Sequence, residues 1–232
     1  MKIEPLNELE LEIYTVIQEL LNNHRLFSLE DIIPKCYNLL NPPYSNSEIS
    51  RAIQGLIHKR YIIKGTSLTR DDVFQNAVRK RILSYIQINP GAYNRKIRRE
   101  CSLGSNEFKW HLGMLIKFGF VKKIQFTTRS CGYFENREYM GHEMDLFLLQ
   151  NDKVAKIIEY LSDLPSSISV IARKLEIHYN TVQKYVLLLE EREILKSTQE
   201  KDNIIYSVNE DMLVRLRKIV NGQVFLDFAS DV

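Results

Sequence analysis

Apolar side chains recur at helical spacing along the chain, punctuated by turn residues, and the order of elements they predict comes round three times. The middle third is clearest. Over residues 76–88, Val78, Ile82, Tyr85 and Ile86 fall on one face of a helix, which Asn89-Pro90-Gly91 ends with turn chemistry. A short helix over 93–101 turns Ile97 inward and Arg95, Lys96, Arg98 and Arg99 mostly outward. Ser102-Leu103-Gly104 is a tight turn, and Ser105 is expected to cap the next helix, residues 106–117. That helix buries Phe108, Leu112, Leu115 and Ile116 and leaves Asn106, Lys109, Trp110, Gly113 and Lys117 on its other side. Gly119 breaks it; residues 120–127 read as a strand, Thr128-Arg129-Ser130 as a turn, and 132–139 as a returning strand.

The last third repeats this order. Residues 153–161 are helical, Leu164-Pro165-Ser166 breaks them, and Ser167 or Ser169 caps a helix ending near Leu175. A turn over 176–179 leads to Asn180, expected to cap a helix over 181–193 with Val182, Val186 and Leu189 inward. Strands over 194–198 and 204–208 flank a polar tip, Glu200 to Asn203, and Asn209 caps a final helix over 210–220. The first third is the least regular version. Helices are expected over 6–22, from a Ser28 cap to Leu40, and over 46–59 behind Ser45, with one short strand over 61–64. No Gly/Ser-rich or Pro-rich linker separates the thirds, so long helices over 70–88 and 143–161 are expected to join them rigidly.

Charge sharpens the picture. Residues 1–75 carry 8 Lys/Arg against 10 Asp/Glu, residues 76–150 carry 13 against 6, and residues 151–232 carry 11 against 13. The middle third alone is strongly basic, at +7, and a polyanion would be drawn there. Three widely spaced cysteines, Cys36, Cys101 and Cys131, form no CxxC pair and argue for a reducing compartment. The N-terminus has no uninterrupted apolar stretch of a signal peptide, and nowhere do eighteen apolar residues run together, so a cytoplasmic chain with no membrane partner is expected.

Helix, short helix, tight turn, helix and two-stranded ribbon is the order of a helix-turn-helix with a wing, whose last helix fits a major groove about 12 Å wide. Asn89-Pro90-Gly91, Leu103-Gly104-Ser105, His111-Leu112 and Gly119 resemble the pattern of archaeal winged-helix regulators related to the ArsR and MarR families. The resemblance covers about 50 residues. It implies transcription regulation, a nucleoid-associated location and a structural role for His111; frequent Ile, Lys and Asn suit an AT-rich archaeal genome. The fold class is therefore expected to be mainly α with small β-wings (α+β), as three tandem winged-helix domains over 1–75, 76–150 and 151–232. The expected function is sequence-specific binding of double-stranded DNA, as a homodimer.

Asn106 and Lys109 are expected to reach bases, with Ser105 at the helix N-terminus and Lys117 further along. Arg95, Lys96, Arg98, Arg99 and Arg129 would clamp the backbone. Trp110 packs either on a sugar or thymine methyl or into an interdomain contact. The last third offers Tyr179, Asn180, Thr181, Gln183 and Lys184 on the equivalent surface, but is acidic. The first third, also acidic, suits dimerisation or a protein partner, as does the apolar tail 223–232. The rival reading is a protein-interaction scaffold of tandem winged helices, as in ESCRT-II subunits or RNA polymerase III and general transcription factor subunits. No nucleophile elbow, HExxH or Gly-rich phosphate loop occurs, so no enzyme and no cofactor are expected. Cys101, His111, Cys131 and His142 fit no zinc spacing, so no metal is expected either.

Overall fold

The structure, a computed structural model, describes residues 4–23, 29–200 and 203–222. It is mainly helical with two small antiparallel strand pairs, and it divides into two compact units. The first comprises Met1–Tyr85, Ile97–Lys123 and Glu135–Arg137; the second comprises Ile86–Lys96, Ile124–Phe134 and Glu138–Val232. The middle third thus contributes to both. Among the described residues no helix is long and apolar enough to cross a membrane.

The first unit opens with α1 (Glu8–Asn23), α2 (Leu29–Leu40) and α3 (Asn46–His58). Asn7 Oδ1 accepts the Glu10 N–H at 2.8 Å while Glu10 Oε2 accepts that of Asn7 at 2.9 Å, a reciprocal start for α1. Ser45 and Glu48 form the same kind of box at α3, as the Ser45 cap predicts. Ser28 lies outside the described residues. Ile13, Ile17, Ile49, Ile53 and Leu56 are fully buried and form the core of this bundle with Cys36 and Ile62. Glu10, also buried, ion-pairs with Lys59 Nζ at 2.7 Å, so the charge is compensated inside the apolar cluster. The strand expected over 61–64 shrinks to a single bridge between Ile62 and Thr69.

Beyond it, α4 (Arg70–Gln75) and α5 (Ala77–Ile88) replace the continuous helix expected over 70–88. Asn76 is extended, with φ −65° and ψ 125°, and its Oδ1 accepts the Arg79 N–H. Asparagine competes for the backbone and favours a cap over a helix interior, which is why the chain breaks there. The joint expected over 143–161 breaks likewise, into α8 (Glu143–Leu149) and α9 (Asp152–Asp163), because Asn151 Oδ1 caps α9 by accepting the N–H groups of Lys153 and Val154. On α5 the buried side chains are Arg79, Ile82, Leu83 and Ile86, whereas Val78 and Tyr85 are only half-buried. The inward face is rotated by about one residue from the expected one, and an arginine stands on it.

The remaining elements are α6 (Asn94–Glu100), α7 (Ser105–Lys117), β1 (Val121–Thr127), β2 (Ser130–Glu135), α10 (Ile168–Leu175), α11 (Tyr179–Glu191), β3 (Leu195–Glu200), β4 (Asn203–Val208) and α12 (Glu210–Val220). β2 starts and ends earlier than the expected 132–139, with the two residues Thr128 and Arg129 as the turn. β3 and β4 pair from Leu195↔Val208 to Glu200↔Asn203. Two further tip residues, Lys201 and Asp202, and the tail 223–232 lie outside the described residues.

In the second unit, Gly91 holds the Asn-Pro-Gly turn in place. Its φ is +87°, its N–H donates to the Tyr133 carbonyl at 2.8 Å, and its α-carbon faces the α8 backbone at Phe147. Phe134, Tyr139, Val154, Ile157, Val186, Leu189 and Leu216 belong to one buried cluster there. Asp145, 1% exposed, accepts from Arg192 Nε at 2.5 Å and bonds His142 Nδ1 at 2.7 Å, joining the start of α8 to the end of α11.

Candidate functional site

In the first unit, the turn between α6 and α7 is set by buried anchors on both helices. Ile97 fixes α6, Cys101 and Leu103 fill the corner, and Phe108, His111, Leu112 and Leu115 form the inward face of α7. Ile116, expected inside, is half-buried. Ser102 takes a left-handed φ of 51°, which lets the Leu103 N–H reach back to the Arg98 carbonyl at 3.0 Å and closes the turn. The cap of α7 is Gly104, not Ser105: Gly104 is extended and its carbonyl accepts from Phe108, while Ser105 is already the first helical residue. Its side chain therefore makes no cap bond.

Opposite this inward face, Asn106, Lys109, Trp110, Gly113 and Lys117 are all exposed. Their spacing of three, one, three and four residues places them on one stripe of the helix. The first-turn N–H groups have no acceptor within the helix and make that end attractive to anions, although Glu107 adds an opposing charge there. Arg98 and Arg99 are exposed on α6; Arg99 bonds Glu100 at 2.8 Å, which offsets part of its charge.

Arg95, Lys96 and Arg129 belong to the second unit. Arg95 is exposed on the same helix as Arg98, and Arg129 is exposed in the β1–β2 turn. Lys96 is half-buried and its Nζ donates to the Gln150 carbonyl at 3.1 Å, which makes it the least available of the expected clamps. Tyr179, Asn180 and Lys184 are exposed on α11, whereas Thr181 and Gln183 are half-buried. Asn180 does not cap α11. His178 does, its Nδ1 accepting the Asn180 N–H at 3.3 Å, so the helix starts two residues before the expected 181.

Sequence reasoning missed Arg79 entirely. It is 4% exposed on α5, and its guanidinium lies 5.4 Å from the centre of the Trp110 ring. Its spacing to Ile82, Leu83 and Ile86 is the signal in the sequence, set against the ordinary outward position of arginine. Beside it, His111 meets Trp110 edge-on at 4.7 Å. Burial lowers the His111 pKa, the Arg79 charge lowers it further, and Glu107 partly offsets both. The folded chain thus takes up this proton at lower pH than the unfolded chain. The His111 contribution to stability is complete above the unfolded value of about 6.5 and is lost as pH falls from there through the folded value. In calorimetry between pH 8 and pH 5, wild type is expected to lose more melting temperature than His111→Gln; equal losses would contradict this.

Burial pushes the Cys36 thiol up to about 11 and also raises that of Cys101, so neither is a ready thiolate at neutral pH. Among the described residues no three His, Cys, Asp or Glu side chains cluster as metal ligands would. Cys131 Sγ instead faces the Tyr133 hydroxyl at 3.9 Å and His142 is engaged by Asp145.

No family model matches the chain. Over 146 residues it is 30% identical to an uncharacterised HTH-type transcriptional regulator of Methanocaldococcus jannaschii. The aligned stretch is 63% of this chain but only 37% of that relative's length.

Proposed function

We propose that the chain is a transcription regulator that binds double-stranded DNA, built as three winged helices over 1–75, 76–150 and 151–232 with the middle one as principal reader. The observation that carries this reading is the polar stripe of Asn106, Lys109, Trp110 and Lys117, set opposite an apolar face that anchors α7. A helix so mounted presents side chains to a major groove, where asparagine pairs with adenine and lysine with guanine. Arg98 and Arg99, with Arg95 on the same helix, act on phosphates, which position the protein without reading sequence. The middle third's +7 charge and the name of the archaeal relative support the same reading. The first third is acidic and leaves Leu11 and Leu39 exposed, which favours protein contact there, including self-association.

Fluorescence anisotropy with a random-sequence duplex from 50 to 200 mM salt tests this. Log affinity should fall linearly with log salt. Arg98→Ala should weaken all sequences alike and lower the slope by about one, whereas Asn106→Ala should cost about 1–3 kcal/mol at one base position of a selected site. Absence of binding at 50 mM salt would overturn the reading.

A further inference from the structure

Arg79 is a buried cation whose surroundings do not neutralise it. Its Nη2 donates to the Asp72 main-chain carbonyl at 3.0 Å, but Nε and Nη1 are buried without a hydrogen-bond partner. The Asp72 carboxylate contributes favourable charge at a distance, yet it is spent on the α4 cap, where Oδ2 takes both the N–H and the hydroxyl of Thr69 at 2.7 Å. A third buried atom nearby, His111 Nδ1, also has no partner. Buried charges are ordinarily paired, and each unmet donor carries a desolvation penalty. Over the guanidinium lies Trp110, itself 54% exposed and part of the outward stripe of α7. A cation concealed beneath one exposed ring is suited to an anion arriving from outside.

Building on the DNA-binding reading, we infer that Arg79 is a covered phosphate contact: the Trp110 indole swings off the guanidinium when a duplex meets α7, and a backbone phosphate oxygen accepts from Nε or Nη1. The indole, released, stacks on a sugar or base, so one movement creates two contacts. The shared chemistry is a phosphate oxyanion, whether from the duplex or free in solution.

Trp110 is the only tryptophan in the chain, so its emission reports on this spot alone. The experiment titrates the full chain with duplex and, separately, with inorganic phosphate at constant ionic strength, following emission, affinity and salt slope. Arg79→Met and Arg79→Lys are compared with wild type, and each is melted. The expected result is a duplex-induced emission change in wild type. Arg79→Met should lose affinity roughly tenfold, with a salt slope lower by about one and a melting temperature no lower than wild type. Arg79→Lys should retain the slope. If duplex binds wild type and Arg79→Met with equal affinity and slope, the inference is overturned while DNA binding stands. If duplex does not bind but phosphate changes the emission of wild type and not of Arg79→Met, the oxyanion site stands and the DNA reading falls. If neither ligand changes the emission, the inference is overturned.

Discussion

Arg95→Glu, Arg98→Glu and Arg99→Glu together are expected to weaken duplex binding at 50 mM salt by roughly a hundredfold or more and to lower the salt slope by about three. Each arginine is exposed on α6, where the helix fixes its Cβ and directs the side chain outward. Replacement by glutamate removes a counterion-releasing contact and adds repulsion in its place. Arg99 should contribute least of the three, since it already shares its charge with Glu100. The control is Lys153→Glu, Lys156→Glu and Arg215→Glu, which makes the same change in net charge at exposed positions on α9 and α12. That variant should stay within about twofold of wild type if local contacts rather than total charge govern affinity. Equal losses in both triples would mean that only net charge matters.

Gly91→Ala is the substitution expected to damage the fold most, by about 3 kcal/mol. A Cβ at this residue would stand 2.8 Å from both Cα and N of Phe147, backbone atoms that cannot yield without shifting α8. The φ of +87° is itself unfavourable for any side chain. The N–H bond to Tyr133 prevents the turn from relaxing outward. For a chain of this size the melting temperature should drop by roughly 6–12 °C. Gly104→Ala serves as reference: its φ is −65° and a Cβ there meets nothing within 4 Å, so it should melt within about 2 °C of wild type. Indistinguishable melting of the two variants would mean that the Asn-Pro-Gly turn is not held against α8.

These two variants also mark what the sequence makes legible. Gly91 within Asn-Pro-Gly announces a turn, and the spacing of Phe108, Leu112 and Leu115 against Asn106, Lys109 and Lys117 announces which face of α7 is free. Both signals are local, and local periodicity is strongest in amphipathic helices. Where two local readings compete, the sequence misleads. Asn76 and Asn151 fit a polar position within a long helix as well as a cap between two short ones, and the cap prevails because asparagine bonds its own backbone. His178 takes the cap expected of Asn180 because an imidazole nitrogen can accept an N–H as an amide oxygen does. Tertiary relations are hidden altogether. Arg79 meets Trp110 of another helix, and the Asp145–Arg192 pair joins α8 to α11; no pattern within one element announces either. The threefold repeat expected from the sequence rests on element order alone, whereas the division into two units follows packing, and its boundary runs through α5, α6 and the β1–β2 hairpin.

Lysine footprinting tests most directly whether duplex DNA lies on the outward face of α7. The full chain is acetylated at 50 mM salt with and without saturating duplex, and the modified residues are quantified by mass spectrometry. Lys109 and Lys117 are expected to be protected, while Lys153 and Lys156, exposed on α9, react as before. Complete binding that leaves Lys109 and Lys117 as reactive as in the free protein, or that protects Lys184 on α11 instead, would contradict the assignment.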